Sequence, residues 1–271
     1  MPDYPPGTPS WVDLGSPDPD AAARFYKEVF GWEAEQRGDP EQTGGYRTFT
    51  LSGKSVGGLM PLMNEQQPPA WSTYISVADA DETMAKVKDA GGQALMEPMD
   101  VMDLGRMAFF MDSTGAALGV WQPKAHTGAE FINKPGALCW NELSTREPDK
   151  AKEFYGAVFG WEPDVDESGP IPYTRWTRGE DDIVAGMMEM GDQFPPEVPS
   201  HWGVCFAVED TDAAVAKVEP AGGKVMVPPT DIPIGRFSVM TDPQGVQFAV
   251  ITLAAQSREV GEKRAAAFGA A

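Results

Sequence analysis

Trp11-Val-Asp13-Leu14, followed by Asp18-Pro19-Asp-Ala-Ala-Ala-Arg-Phe25-Tyr26-Lys-Glu-Val29-Phe30-Gly31-Trp32, comes back 129 residues later (140 − 11) as Trp140-Asn-Glu142-Leu143 and Glu147-Pro148-Asp-Lys-Ala-Lys-Glu-Phe154-Tyr155-Gly-Ala-Val158-Phe159-Gly160-Trp161. Trp, acid, Leu, acid-Pro, Phe-Tyr and Val-Phe-Gly-Trp recur in the same order and spacing, so the chain carries an internal duplication. Each copy reads as a short strand, a turn and an amphipathic helix. Asp18 is placed to cap the first helix, and Pro19 suits its first position. Ala22, Phe25, Tyr26, Val29 and Phe30 fall at i, i+3, i+4, i+7 and i+8, the buried stripe of a surface helix. Gly31 supplies the left-handed stop.

The pattern extends on both sides of the second copy. Tyr46–Leu51 and Ser55–Met60 read as strands joined at Ser52-Gly53-Lys54, after a polar, glycine-rich connection from Arg37 to Gly45. Trp71–Val77 is a strand, and Asp79 caps a helix over Asp81–Ala90 that Gly91-Gly92 stops. Strands follow near Gln93–Glu97, Gly105–Met111 and Ala117–Gln122. The turn Asp112-Ser-Thr-Gly115 has the Asp and Gly that a type I turn prefers. His201–Val208, a helix over Thr211–Pro220 and Asp242-Pro-Gln-Gly245 are the second-copy counterparts. The order strand–helix–strand–strand–strand is thus written four times. The predicted class is α+β, with one domain over 9–123, a linker over 124–136, a second domain over 137–253 and a tail over 254–271. The tail has no apolar face and is expected to fray, and the Pro-rich residues 1–10 are expected to drape over the surface.

A chain of 271 residues has room for two domains, and its net charge of −20 argues against nucleic acid or an anionic membrane as partner. The longest apolar runs are too short to span a bilayer. Met1-Pro-Asp-Tyr4-Pro-Pro-Gly7 lacks the basic and apolar regions of a signal peptide. Cys139 and Cys205 fall in predicted strands with no metal-spaced partner. They read as buried free thiols of a cytoplasmic protein.

Asp18-Pro19…Phe25-Tyr26…Val29-Phe30-Gly31-Trp32, Val77-Ala78-Asp79, Ala90-Gly91-Gly92 and Asp242-Pro-Gln-Gly245 together resemble the vicinal oxygen chelate superfamily, that of glyoxalases, bleomycin-resistance proteins and extradiol dioxygenases. The likeness covers roughly residues 9–253. An acid-Leu strand paired with Gly-Trp after the helix is most similar to a tandem actinobacterial glyoxalase-like subgroup loosely labelled hydroxylases. The resemblance implies two tandem domains, each of two βαβββ units curving into a half-open barrel around a hollow. It also implies a divalent metal held by His, Glu or Gln at three slots per domain. Those slots fall on Trp11, Ser72 and Gly119, and on Trp140, Gly203 and Ala249. None supplies the nitrogen, thiolate or carboxylate that such metals need. His126 and His201 are the chain's two histidines, too few to rebuild a site. The expectation is therefore no metal and no cofactor.

Residues two apart in a strand share a face. If Trp11 and Trp140 point inward, so do Asp13 and Glu142. The two acids are candidate general bases, or carboxylates that accept hydrogen bonds within the fold. Trp11 and Trp140 offer an indole face to an aromatic ligand, or plug the barrel floor. His201, at a strand mouth, is placed for acid–base work or is a surface residue. Trp71 and Trp202 should face the other way, under a helix. Arg106 and Arg236, in matched turns, could clamp an anion, but pairing with Asp100 and Asp231 is preferred. The functional expectation is metal-independent binding of an apolar or aromatic small molecule, in antibiotic resistance or biosynthesis, by a monomer or homodimer. The alternative is an enzyme (a lyase, isomerase or hydroxylase accessory) with Asp13 or Glu142 as base.

Overall fold

In the computed structural model, residues 4–64, 67–168, 172–179, 182–192 and 194–254 are described. The first copy runs β1 (Pro9–Ser16), α1 (Pro19–Phe30), β2 (Glu33–Gln36), α2 (Pro40–Thr43), β3 (Arg47–Leu51), β4 (Lys54–Pro61), β5 (Ala70–Ser76), α3 (Ala80–Asp89), β6 (Gln93–Val101), β7 (Gly105–Met111) and β8 (Ala117–Pro123). The second runs β9 (Ala137–Thr145), α4 (Pro148–Phe159), β10 (Glu162–Asp166), β11 (Tyr173–Thr177), β12 (Ile183–Glu189), β13 (His201–Ala207), α5 (Thr211–Val218), β14 (Lys224–Ile232), β15 (Gly235–Thr241) and β16 (Gln247–Leu253).

Three of the long helices start where a side chain can hold their free amides. Asp18, Asp79 and Asp210 accept from the N–H groups of Ala21, Glu82 and Ala213. Gly31 and Gly160 end α1 and α4 at φ 76° and 69°, where a side chain would be strained.

The strands form two eight-stranded sheets, β2-β3-β4-β1-β5-β8-β7-β6 and β10-β11-β12-β9-β13-β16-β15-β14. Each is two four-stranded units joined antiparallel through their first strands, β1 to β5 and β9 to β13. Alternation along β1 sends Val12 and Leu14 into the helix-side core and Trp11 and Asp13 to the opposite, inner face.

The helix-side cores are shared between the copies. Phe25 and Tyr26 of α1 lie 6.0 and 5.5 Å, ring to ring, from Phe248 of β16. Phe154 of α4 lies 5.9 Å from Phe110 of β7. Trp71 and Trp202 do pack beneath these helices, edge-on to Tyr26 and Tyr155 at 5.4 and 5.5 Å. Tyr155 O–H donates to Asp112 Oδ2 at 2.5 Å and accepts from Trp202 Nε1 at 2.8 Å. In the other direction Tyr26 O–H donates to Asp242 Oδ2 at 3.4 Å and accepts from Trp71 Nε1 at 3.0 Å. The Asp of each Asp…Gly turn therefore also receives a phenol from the other copy's helix.

Two expectations are corrected. The connection over residues 37–45 contains a one-turn helix, α2, capped by Asp39. The N-terminal arm does not drape from Tyr4 onward. Tyr4 is buried with its O–H donating to the Ala129 carbonyl at 2.8 Å, and the Gly7 carbonyl accepts from Trp161 Nε1 at 2.9 Å. Gly7 N–H donates to the Ser76 carbonyl and the Thr8 carbonyl accepts from the Ser76 N–H, so the arm runs onto β5, and a buried Tyr ring with a satisfied hydroxyl holds its start down. Arg106 meets Asp100 as expected and Asp81 as well; Arg236 meets Asp231 and Asp212. The tail beyond Ala254 and residues 1–3 lie outside the described residues. No described helix is long and apolar enough to cross a membrane.

Candidate functional site

Two matching clusters lie on the inner faces. In the first, Trp11 Nε1–H donates to Asp13 Oδ1 at 2.6 Å and to Tyr46 Oη at 3.0 Å, and Tyr46 O–H donates to the same Oδ1 at 2.6 Å. In the second, Trp140 Nε1–H donates to Tyr173 Oη at 2.9 Å, and Tyr173 O–H donates to Glu142 Oε2 at 2.6 Å. A glycine makes room for each. A Cβ at Gly58 would clash with Asp13 and Tyr46, and one at Gly186 with Tyr173 and Trp140. The alternation argument thus places Trp and acid together in both copies, but the tyrosines escaped it. Their signal was present: Tyr46-Arg-Thr and Tyr173-Thr-Arg open the third strand of each copy, shifted by two residues through a shorter connection.

The clusters differ in what surrounds them. In the first sheet the inner face is filled. Trp11 packs with Tyr74, Trp121 and Ala129, and a Cβ on Gly119 would meet the Tyr74 ring at 2.4 Å. The linker completes the filling. His126 sits edge-on to Trp11 at 4.5 Å, its carbonyl accepts from Trp121 Nε1 at 2.7 Å, and Glu130 accepts from the Ser55 N–H and O–H at 2.9 and 3.0 Å. The expectation of a hollow in each half is therefore corrected for the first half, whose large side chains and linker occupy it.

Strand register identifies the second-sheet equivalents. Tyr74, which faces Trp11, becomes Cys205, which faces Trp140. Ser72 becomes Gly203, Phe109 becomes Val239 and Trp121 becomes Ile251. Each replacement is smaller. Trp140, Glu142, Gly203, Val239 and Ala249 are all partly exposed, and a Cβ on Gly203 would meet nothing closer than 3.7 Å. Among the described residues no ring packs on Trp140. The last strands, Ala-Leu-Gly-Val-Trp121 against Gln-Phe-Ala-Val-Ile251, carried part of this difference in plain view.

The carboxylates differ accordingly. Burial pushes the Asp13 carboxyl up to about 6, opposed by hydrogen bonds from Tyr46, Trp11 and Tyr74. Burial also raises Glu142, but only Tyr173 opposes it. No protein group bonds Glu142 Oε1 among the described residues. Asp13 accepts from three side chains on a filled face, whereas Glu142 accepts from Tyr173 alone on the more open one. His201 starts β13 opposite Ser144, with Nδ1 2.9 Å from the Pro199 carbonyl. It lies on the Gly203 side of the strand, two residues from the Glu142 row. His126, read from sequence only as a linker residue, is the histidine in contact with a cluster. Burial lowers its pKa.

The metal implied by the resemblance does not fit these residues. The slots Trp11, Ser72 and Gly119 are an indole, a hydroxyl and a glycine, and Trp140, Gly203 and Ala249 offer no oxygen or nitrogen ligand beyond an indole N–H. Among the described residues no three His, Cys, Asp or Glu converge. A cavity of about 60 Å³ lies beside Trp140 and Cys139, with room for a few waters. A groove of about 450 Å³ between the end of α3 and α4 lies away from both clusters.

Residues 8–120 and 127–250 each match the Glyoxalase/Bleomycin resistance protein/Dioxygenase superfamily. The chain is 44% identical over 258 residues to CFP32 of Mycobacterium tuberculosis (strain CDC 1551 / Oshkosh), provisionally named a glyoxylase, covering 94% of this chain and 98% of that protein. It is 40% identical to the anthracycline biosynthesis protein DnrV of Streptomyces peucetius, covering 92% and 94%. Its fold resembles the Mn(II)-bound glyoxalase of Novosphingobium aromaticivorans, with a TM-score of 0.63, 17% identity and coverage of 90% and 82%. With the repeat, the two sheets and the match over both halves, the chain belongs to the glyoxalase/bleomycin resistance protein/dioxygenase superfamily.

Proposed function

We propose that the inner face of the second sheet binds an aromatic small molecule without a metal, and that the first half is a filled scaffold. The observation that carries this is the exchange of Tyr74, Phe109 and Trp121 for Cys205, Val239 and Ile251 around an otherwise equivalent Trp–Tyr–acid cluster. Trp140 offers a free indole face for stacking, worth about 0.5–1.5 kcal/mol beyond area burial. Glu142 Oε1 accepts from a hydroxyl or N–H on the ligand, and burial strengthens that bond. Flat apolar walls and a single acceptor suit a hydroxylated polycyclic compound. The relationship to anthracycline biosynthesis proteins supports the same chemistry and a role in making or tolerating such a compound.

The test is calorimetric titration with an anthracyclinone. Trp140→Ala and Glu142→Gln should each weaken binding about tenfold, or about 1.4 kcal/mol, while Asp13→Asn leaves it within twofold. Equal losses at Asp13 and Glu142, or no heat with the unmodified chain, would sink the proposal. A second reading has Glu142 acting as general base, favoured by its raised pKa and its free oxygen. Glu142→Gln would then keep most of the binding and abolish turnover.

A further inference from the structure

The chain's two cysteines are 66 residues apart and meet on neighbouring strands. In the β9–β13 ladder Cys205 faces Trp140 and Phe206 faces Leu138, so the register steps over Cys139. That step is a bulge in which two residues of β9, Cys139 and Trp140, face Cys205 alone. The Cys139 S–H donates to the Cys205 carbonyl at 3.3 Å, which brings its sulfur onto the Cys205 backbone. The two thiols also hydrogen-bond each other, so the sulfurs lie side by side across the bulge.

The first copy shows what this bulge needs. There the register steps over Ser10, whose hydroxyl donates to the Tyr74 carbonyl at 3.4 Å, in the same place and toward the same partner. A serine hydroxyl meets the bulge's demand for a donor, and Tyr74 fills the opposite position without sulfur. Two thiols at these positions therefore exceed what the local structure requires. Access is graded too. Cys139 is partly exposed and lines the cavity of about 60 Å³ beside Trp140, large enough for a peroxide. Cys205 is 9% exposed, and the hydrogen bond with the Cys139 thiol together with burial holds its thiol pKa well above the ordinary value.

We propose that Cys139 and Cys205 are a redox pair that closes a reversible disulfide across β9 and β13, with a peroxide as oxidant. The Cys139 thiolate attacks one peroxide oxygen and breaks the O–O bond. This gives a sulfenic acid, and the departing hydroxide takes a proton to become water. The Cys205 sulfur then attacks the Cys139 sulfur, forming the S–S bond and releasing the sulfenic oxygen as a second water with the Cys205 proton. Two thiols are oxidised by two electrons and one hydrogen peroxide is reduced to two waters. A dithiol reductant reverses the bond through a mixed disulfide. The bond would tie the strand that carries Trp140 and Glu142 to its neighbour, independent of what that face binds.

The experiment treats the reduced full-length chain with hydrogen peroxide, then denatures it, alkylates it with N-ethylmaleimide and measures the intact mass. The expected product is a monomer lighter by two hydrogens that takes up no maleimide, yields a cross-linked Cys139–Cys205 peptide, and regains two reactive thiols with dithiothreitol. In Cys205→Ser, Cys139 should instead be trapped as a sulfenic acid by dimedone. Two thiols that survive treatment, disulfide-linked dimers, or Cys139 over-oxidised to sulfinic or sulfonic acid in the unmodified chain would overturn the proposal.

Discussion

Burial raises the Asp13 carboxyl to about 6 from an ordinary 3.8, so the folded chain holds this proton more tightly than the unfolded chain does. The sign is opposite to that of a salt-bridged acid. The group's contribution is most favourable below pH 3.8, is lost as pH rises to about 6, and is level above that. That difference corresponds to about 3 kcal/mol. Asn at position 13 keeps an oxygen for Trp11 and Tyr46 but has no charge to bury. The unfolding free energy of Asp13→Asn minus that of the parent should therefore grow by about 2.5 kcal/mol between pH 4 and pH 8. Urea denaturation at the two pH values measures it, and a flat difference would show that the carboxylate is not desolvated. Trp, acid and their shared face were readable from period-two alternation. Which acid accepts from fewer side chains was not, because that depends on Tyr46, Tyr74 and Tyr173 arriving from other strands.

Helices α1 and α4 carry the same lesson in their Phe-Tyr pairs. Their apolar stripe marks them as buried, yet each tyrosine reaches an aspartate 216 or 43 residues away in the opposite copy. Tyr155→Phe would leave Asp112 Oδ2 without its phenol and Trp202 Nε1 without an acceptor, both buried. A loss of about 2 kcal/mol in unfolding free energy is expected, since unsatisfied buried groups cost about 1–3 kcal/mol. Tyr26→Phe, whose bond to Asp242 is longer at 3.4 Å, should lose less. Equal losses in denaturant titrations would contradict this ranking. Gly31→Ala should cost about 1 kcal/mol by placing a Cβ at φ 76°, although nothing lies within 4 Å to clash with it. Among the elements that sequence reading missed, β2 and α2 are four residues each and β10 is five. That is too short for either periodicity to register.

The cross-packed cores make the two copies mutually dependent. One cluster joins α1 and β1 to Phe206, Val218 and Phe248; the other joins α4 and β9 to Val87, Phe110 and Val120. A half expressed alone, cut in the linker near Lys134, would expose both helix-side surfaces. It should aggregate or self-associate instead of giving a folded monomer, whereas the two halves produced together should reassemble. Size-exclusion chromatography and near-ultraviolet circular dichroism of each half, alone and mixed, would decide. A well-folded monomeric half would contradict the shared cores.

The repeat, the four strand–helix–strand–strand–strand units, the caps at Asp18 and Asp79 and the absence of metal donors in the expected slots were all legible in the amino-acid order. Each rests on local spacing and side-chain chemistry. Three things depended on the assembled chain: the exchange of helices between cores, the filling of the first inner face by His126 and its neighbours, and the meeting of Cys139 with Cys205. These join residues tens to hundreds of positions apart. Their contacts follow from strand register and from which volumes are left over once two sheets have packed, and no local pattern encodes either.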